Sequence, residues 1–519
     1  MKYVIGIDLG SSAVKAILVD RGGIIHQTLS VSYPLIQAKS GYSEQDPDVW
    51  YEKTKQLIYK LVKNFKGNVN DIEAISFSGQ MHGLVLLNEN LEVMRNAILW
   101  NDTRTTEQCR EIEQSVGKER LLEITKNQAL EGFTLPKLLW VKQNEPEIFE
   151  RIHLFLLPKD YLRFKITGEL HTDYSDAAGT LLLNTQEKKW SREICQQFDV
   201  DEKICPELVE SHAYIGLITA EFSEVTGLSS NTKVFAGGAD NACGAISAGI
   251  LSEGKALCSI GTSGVILSYE ELDKRDYGGS LHYFNHGDED AFYSMGVTLS
   301  AGHSLSWFRD TFAQGQTFES VLAGIESIPV GSNGLLFAPY LVGERTPHTD
   351  ATIRASFIGI DAGHTQKHFT RAVLEGVTFS LKESLDILRK HSNNVNTIIS
   401  IGGGAKSDVW LQMQADIFNV RIVNLYSEQG PALGAAILAC YGCGWYNSLE
   451  DCTRVFISYE KAYEPIAGNV SQYEILYELY KEIYNSTKKI SAGLRNFEKT
   501  REELVNQIEY CKQESKVHS

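Results

Sequence analysis

Five short segments of the chain combine carboxylates, hydroxyls and glycines at spacings that could handle a phosphate. Residues 7–15 read I-D-L-G-S-S-A-V-K. Asp8 ends an apolar run, where a carboxylate is costly to bury without a partner. Gly10 permits a tight turn, and Ser11, Ser12 and the turn amides can face an anion. An ordinary hairpin with a surface aspartate fits the same residues. Residues 235–244 read F-A-G-G-A-D-N-A-C-G. An apolar run meets two glycines, then Asp240 and Asn241, then a helical segment. A carboxylate at a helix N-terminus is held ready in its charged form, as a general base requires. A helix-capping aspartate is the alternative. Residues 259–267, S-I-G-T-S-G-V-I-L, offer the Thr262 and Ser263 hydroxyls beside freely placed glycine amides. Residues 401–408, I-G-G-G-A-K-S-D, leave room for a flat group against backbone. Residues 430–436, G-P-A-L-G-A-A, let a helix pack closely.

Two look-alikes are set aside. Residues 249–255, G-I-L-S-E-G-K, have phosphate-loop spacing, but Ala256 stands where a magnesium-binding hydroxyl belongs. The next residues read as a strand, whereas a phosphate-loop lysine opens a helix. No G-x-G-x-x-G comes after a strand, so a nicotinamide cofactor is not supported. The nine cysteines have no regular spacing, and the one C-x-x-C, Cys440 and Cys443, has no answering pair for a zinc site. They read as buried or half-buried thiols.

The elements that must hold these segments can be read from periodicity. Tyr3–Asp8 and Val14–Val19 read as strands joined by a glycine turn, and Gly22-Gly23 turns into a third. Residues 47–65 have helical spacing, with Asp46 and Pro47 placed as N-cap and first helical residue. Further strands are read at 74–78 and 84–87. A second glycine hairpin at 256–269 resembles the first, about 250 residues further on, which suggests a weak internal duplication. Alternating strands and amphipathic helices to about residue 460 imply two α/β domains with a cleft between them. The expected division is 1–244, 245–470 and a C-terminal helix with a polar, frayed end over 471–519.

The 519 residues suit two or three domains, and 43% hydrophobic with 22% charged residues are globular proportions. The net charge is 49 − 66 = −17, which argues against nucleic acid as a partner. A small anion such as ATP is still accessible to backbone amides and a metal. No run of apolar residues is long enough for a membrane helix, and the N-terminus leads into no signal-peptide core. A cytoplasmic protein is expected.

Taken in order, the five segments resemble the FGGY carbohydrate kinases of the actin-like ATPase superfamily. G-F-T-L-P-K-L-L-W-V (132–141), F-I-G-I (357–360) and H-F-T-R-A-V-L-E (368–375) extend the resemblance over about residues 1–460. S-G-Q-M-H-G (78–83), W-N-D-T-R (100–104), L-L-P-K-D-Y-L (156–162), D-Y-S-D-A-A-G-T (173–180) and P-Y-L-V-G-E-R-T-P-H (339–348) are similar to members that act on xylulose. Members acting on glycerol carry Arg-Glu where Met81-His82 stands; members acting on gluconate resemble M-H-S and W-A-D.

The resemblance implies two actin-like, ribonuclease H-like α/β domains flanking a catalytic cleft. It implies phosphoryl transfer from ATP with Mg²⁺ to a ketopentose hydroxyl, most simply O5 of D-xylulose. Asp240 would be the base and Asp8 the magnesium residue. Ser11, Ser12, Lys15, Thr262 and Ser263 would line the phosphates. Gly403 and Gly404 would border the adenosine, with Gly302 and Asp408 nearby. Met81, His82, Asn241, Trp100 and Asp102 would meet the sugar. Members are often homodimers. The rivals are a kinase for L-ribulose, L-fuculose or gluconate, and an actin-like or chaperone-like nucleotide switch, which would not need the sugar segments.

Overall fold

The computed structural model describes residues 1–271, 275–391 and 393–517. Backbone contacts divide the chain into two compact units. The first is Met1–Ala256 with Leu267–Ser294 and Leu425–Glu460; the second is Leu257–Ile266 with Met295–Asn424 and Lys461–Ser519.

The core of the first unit is a mixed sheet of seven strands: β1 (Tyr3–Leu9), β2 (Ala13–Asp20), β3 (Ile25–Ser32), β4 (Ile72–Gly79), β5 (Tyr214–Leu217), β6 (Lys233–Phe235) and β7 (Gly238–Ala239). Their order is β3-β2-β1-β4-β6-β5, with β7 against β4. The β1-β2-β3 meander is antiparallel and β4 joins β1 in parallel. Both faces of β1 and β2 are covered, so Val4, Ile5, Ile7, Val14, Ile17 and Leu18 are all buried. A strand covered on both sides reads as a continuous apolar run, which is why the sequence shows it so clearly.

The other seven-stranded sheet comprises β8 (Lys255–Ile260), β9 (Gly264–Glu271), β10 (His282–Asn285), β11 (Ala291–Thr298), β12 (Thr397–Gly402), β13 (Arg421–Leu425) and β14 (Tyr459–Tyr463), in the order β10-β11-β9-β8-β12-β13-β14. Each sheet contains the same series, third-second-first-fourth-fifth: β3-β2-β1-β4-β6 in one and β11-β9-β8-β12-β13 in the other. The repeat seen faintly in the two glycine hairpins is thus a repeat of topology. Lys255 opens a strand, so the phosphate-loop look-alike leads into no helix.

The helices that bear on the site are α1 (Pro47–Asn64), α2 (Thr134–Asn144), α3 (Pro158–Thr167), α4 (Tyr174–Ala177), α5 (Asp240–Ser247), α6 (Gly302–Phe312), α7 (Phe318–Leu322), α8 (Gln366–Lys390), α9 (Asp408–Phe418), α10 (Pro431–Gly442) and α11 (Ala467–Val517). α1 starts as expected: the Asp46 carboxylate accepts from the Asp48 N–H and Pro47 takes the first position. α10 lies on β1 and crosses α5 at glycines. A Cβ on Gly6 would sit 2.0 Å from the Ala432 carbonyl oxygen, and one on Gly434 2.0 Å from that of Cys243. α11 packs through Tyr473, Tyr477, Tyr480 and Ile483. Its polar end is not frayed as expected; the polar segment continues the helix to Val517. Glu, Lys, Arg and Gln are good helix formers, and Arg495 pairs with Glu498 one turn on. Among the described residues, no helix is long and apolar enough to cross a membrane.

Candidate active site

Asp8 is the penultimate residue of β1, opposite Lys15 on β2 and Ser78 on β4. The turn after β1 is closed by a Gly10 N–H to Ala13 carbonyl bond of 3.0 Å. Asp8 is half-buried, and its Oδ1 is buried with no hydrogen-bond partner. Burial pushes its carboxyl above the ordinary range; the Ser78 hydroxyl beside it and the Lys15 ammonium work the other way. Lys15 is itself pushed down by burial, and its Nζ donates to the Gln429 carbonyl at 2.7 Å.

Asp240 is the first residue of α5, with Ala239 in the cap position. The capping alternative therefore does not describe it. Its Oδ1 accepts from the Asn241 backbone N–H at 2.7 Å and from Asn241 Nδ2 at 3.0 Å. Burial, then the neighbouring Asp8 charge, push the Asp240 carboxyl up to about 7, and the Asn241 N–H only partly offsets this. A base that titrates near neutrality can both take and hold a proton under working conditions.

Beside Asp240, the Asn241 amide lies 3.5 Å from Met81 Sδ, and the Tyr293 hydroxyl 3.7 Å from the same sulfur. His82 is next, with φ +67°, a left-handed backbone conformation. Its carbonyl accepts from Thr134 Oγ1 at 3.1 Å and from Lys137 Nζ at 2.8 Å, both on α2. Its Nδ1–H donates to the Gly179 carbonyl at 2.6 Å, which fixes the tautomer and leaves Nε2 as an acceptor. A Cβ on Gly179 would lie 2.6 Å from that ring nitrogen, so only glycine fits there. The α2 segment G-F-T-L-P-K thus acts as a clamp on the His82 backbone.

Trp100 is 43% exposed and donates from Nε1 to Ser11 Oγ at 2.8 Å. Ser11 in turn donates to Gln80 Oε1 at 3.1 Å, and Gln80 donates to Gln45 at 3.2 Å. This chain of bonds joins the residue expected at the sugar to one expected at the phosphates. Ser12 is exposed at the hairpin tip. Asp102 departs from its expected role. It is wholly buried, and it accepts from Ser43 N at 2.6 Å and from Arg104 N, Nε and Nη2 at 3.0, 2.9 and 2.7 Å. Four donors occupy its lone pairs, leaving none for a sugar hydroxyl.

In the second unit the hairpin tip, α6 and the glycine turn after β12 come together. Ala301 N and His303 N donate to the Thr262 carbonyl at 3.0 and 3.1 Å, and Gly302 N to that of Gly261 at 2.7 Å. A Cβ on Gly302 would be 2.4 Å from the Gly261 oxygen, and one on Gly404 2.6 Å from Ile260 Cδ1. A cavity of about 690 Å³ opens here, lined by Ile260, Thr262, Gly302, Phe318, Gly403 and Trp410 among others. Its size and largely apolar lining suit a flat heterocycle with an attached sugar. Ser263 is exposed at the tip. Asp408 does not line the cavity: it is exposed and bonded to Lys461 Nζ at 2.9 Å and to the Tyr463 hydroxyl at 2.7 Å, which hold its carboxyl below the usual range. A larger hollow of about 780 Å³ around Trp190 and Cys205 contains none of the expected residues.

A fully buried cluster behind Asp240 was not assigned from sequence. Lys159 Nζ lies 2.6 Å from Asp160, 2.7 Å from Asp173 and 3.4 Å from Asp176, and Arg163 lies 2.8 Å from Asp160. The visible signal was a Lys-Asp pair in an otherwise apolar run, L-L-P-K-D-Y-L, where charges need partners.

The FGGY family of carbohydrate kinases matches twice: its N-terminal domain over residues 3–247 and its C-terminal domain over 256–443. The xylulose kinase of Bacillus subtilis is 58% identical over 499 residues, covering 96% of this chain and all of its own. A ligand-bound xylulose kinase from Lactobacillus acidophilus matches with a TM-score of 0.89 at 31% identity, over 94% of this chain and 99% of that one. A gluconate kinase from the same organism matches with 0.90 at 31%, over 96% and 99%. The two-domain α/β fold and the sequence agree, and the chain belongs to the FGGY family of carbohydrate kinases, enzymes that transfer a phosphoryl group from ATP to a sugar.

Proposed function

We propose that the chain phosphorylates D-xylulose at O5, with Asp240 as general base. The observation that carries this is the grouping of Asp240, Asn241, Met81 and His82 in one unit, with the base raised to about 7. Phosphoryl transfer asks for positioning, charge neutralisation and a base at the attacking hydroxyl. Asp240 takes the O5 proton as the O–P bond forms and the bond to ADP breaks. Met81, His82 Nε2 and Asn241 hold the sugar, and Trp100 offers its flat face. On the first unit Ser11, Ser12 and Lys15 receive phosphate; on the second Thr262 and Ser263 do so, and Gly302 and Gly403 admit the adenosine to the 690 Å³ cavity, with Gly404 packed behind on Ile260. Lys15 gives one of its three donors to the Gln429 carbonyl.

Asp8 fits a magnesium ion on the chemistry of its donors: a hard carboxylate oxygen, buried and unpartnered, near a second carboxylate. Mg²⁺ commonly takes one or two carboxylates and fills its remaining positions with water and phosphate oxygens. Bound there, the ion would neutralise phosphate charge.

The gluconate reading is favoured by one observation, the equal structural similarity to a gluconate kinase. Against it stand the M-H-G and W-N-D segments and the 58% identity to a xylulose kinase. Turnover with MgATP on D-xylulose, D-ribulose, L-ribulose, L-fuculose, glycerol and gluconate separates them. D-xylulose should give the highest kcat/KM; gluconate or L-ribulose as the best substrate would overturn the assignment. Cytoplasmic location and a homodimer complete the proposal, on the resemblance alone. A solution mass of 57.9 kDa, that of one chain, would rule the dimer out.

A further inference from the structure

We propose that the buried Lys159 cluster aims the base, acting on Asp240 through Ser175; this rests on the reading of Asp240 as the base. The strand end that leads into α5 is gripped at three successive places. Arg163 Nη1 donates to the Ala236 carbonyl at 2.8 Å. Gly237 N donates to the Ser211 carbonyl at 2.9 Å. Ala239 N, one residue before Asp240, donates to Ser175 Oγ at 2.9 Å.

All three grips converge on the same ions. The Asp173 carboxylate accepts from Ser175 Oγ and Ser175 N and, at 2.7 Å, from Ser211 Oγ. Its other oxygen lies 2.7 Å from Lys159 Nζ. Arg163 is tied to the same lysine through Asp160. Lys159, Asp160, Arg163, Asp173, Ser175 and Asp176 are all wholly buried.

The segment being gripped turns on a residue that must be glycine. Gly237 has φ +80°, and a Cβ at that position would lie 2.1 Å from the Phe77 carbonyl oxygen. Burying five charged side chains is expensive, and an apolar core of the same volume is often at least as stable. What the ions supply is direction: each bond to residues 236–239 fixes the angle at which α5 begins and so where its first carboxylate points. Ser175 is a positioning residue in this scheme, with Lys159 as the hub behind it.

The test is a double-mutant cycle on the full chain, tracking kcat and both KM values with D-xylulose and MgATP. Ser175→Ala removes the hydroxyl that joins Ala239 to Asp173 and little volume. A misaimed catalytic group can cost up to about 10²-fold in rate, so kcat should fall at least tenfold with the ATP KM within about twofold. In an Asp240→Asn background the same change should cost under threefold, because there is no base left to aim. Ser175→Thr, which keeps a hydroxyl, should recover part of kcat. Wild-type kcat in Ser175→Ala would overturn the proposal. So would an equal fractional loss in both backgrounds, the signature of a merely structural role. If Asp240→Asn alone keeps activity within threefold of wild type, the base reading fails instead. Should Ser175→Ala not fold, Ser211→Ala removes another of the Asp173 bonds and is read by the same cycle.

Discussion

Asp240 is placed where a negative charge is least welcome, half-buried and facing a second carboxylate, and this sets its pH behaviour. With its carboxyl raised to about 7, kcat/KM should climb with pH through that region and level off above it. Asp240→Asn should lose about 10²–10⁴-fold in kcat and with it the acid limb, while nucleotide binding measured by calorimetry stays near wild type. The same shift has a stability sign. The folded state keeps a proton that the unfolded chain has released, so Asp240 costs stability as pH rises from about 4 to about 7, and the cost stays above that. Thermal melting should therefore find Asp240→Asn more stable than wild type, by a margin that widens from pH 5 to pH 8; a margin that shrinks over that interval would show that the carboxylate is stabilised in place. The types and positions of Asp8 and Asp240 were legible in the sequence because both break an apolar run at a glycine turn. The surroundings were not. Nothing near Asp102 in sequence says that Ser43 joins Arg104 in saturating it, and Asp408 gives no sign of Lys461 and Tyr463. A side chain's free lone pairs depend on residues brought in from far along the chain.

The clamp of α2 on His82 and the crossing of α10 over α5 each make an element answerable for the site. Lys137 is wholly buried and donates to the carbonyls of His82 and Gly132. Lys137→Met should release the His82 backbone from its left-handed conformation. The expected result is a D-xylulose KM raised about tenfold with the ATP KM unchanged, the cost of roughly one charged hydrogen bond. Equal changes in both KM values would point to general loosening. At the crossing, Gly434→Val puts side-chain atoms where the Cys243 backbone lies, 2.0 Å from a Cβ. Overpacking of this kind costs about 1–3 kcal/mol, and because Cys243 is in α5 the melting temperature and kcat should fall together. A variant that lost stability with kcat intact would show α5 to be held independently of α10. Element types were readable where strands are covered on both faces and where Asp46-Pro47 opens a helix. The end of α11 was not, since polarity alone reads as a stop while its residues are good helix formers.

At the scale of the whole chain, the buried residues of the C-terminal helix, among the described residues, run from Val470 to Ser491. Tyr473 bonds to Glu375 and Arg371 on α8, so truncation before it should abolish soluble expression. Truncation after Arg501 removes none of these buried residues and should leave kcat/KM within about twofold, as changes away from packed and catalytic groups usually do. A larger loss would assign the last helical turns a part in catalysis. The repeated strand series gives the halves one blueprint, yet their hairpins differ at a telling place. Asp8 stands two residues before its turn glycine, and in the later hairpin the residue two before Gly261 is Ser259. One hairpin therefore needs a counter-ion before it can approach a phosphate, while the other does not. A carboxylate in one hairpin and a hydroxyl at the matching place in the other give two copies of one plan opposite manners toward an anion: the first calls for a cation beside it, the second can donate a hydrogen bond directly.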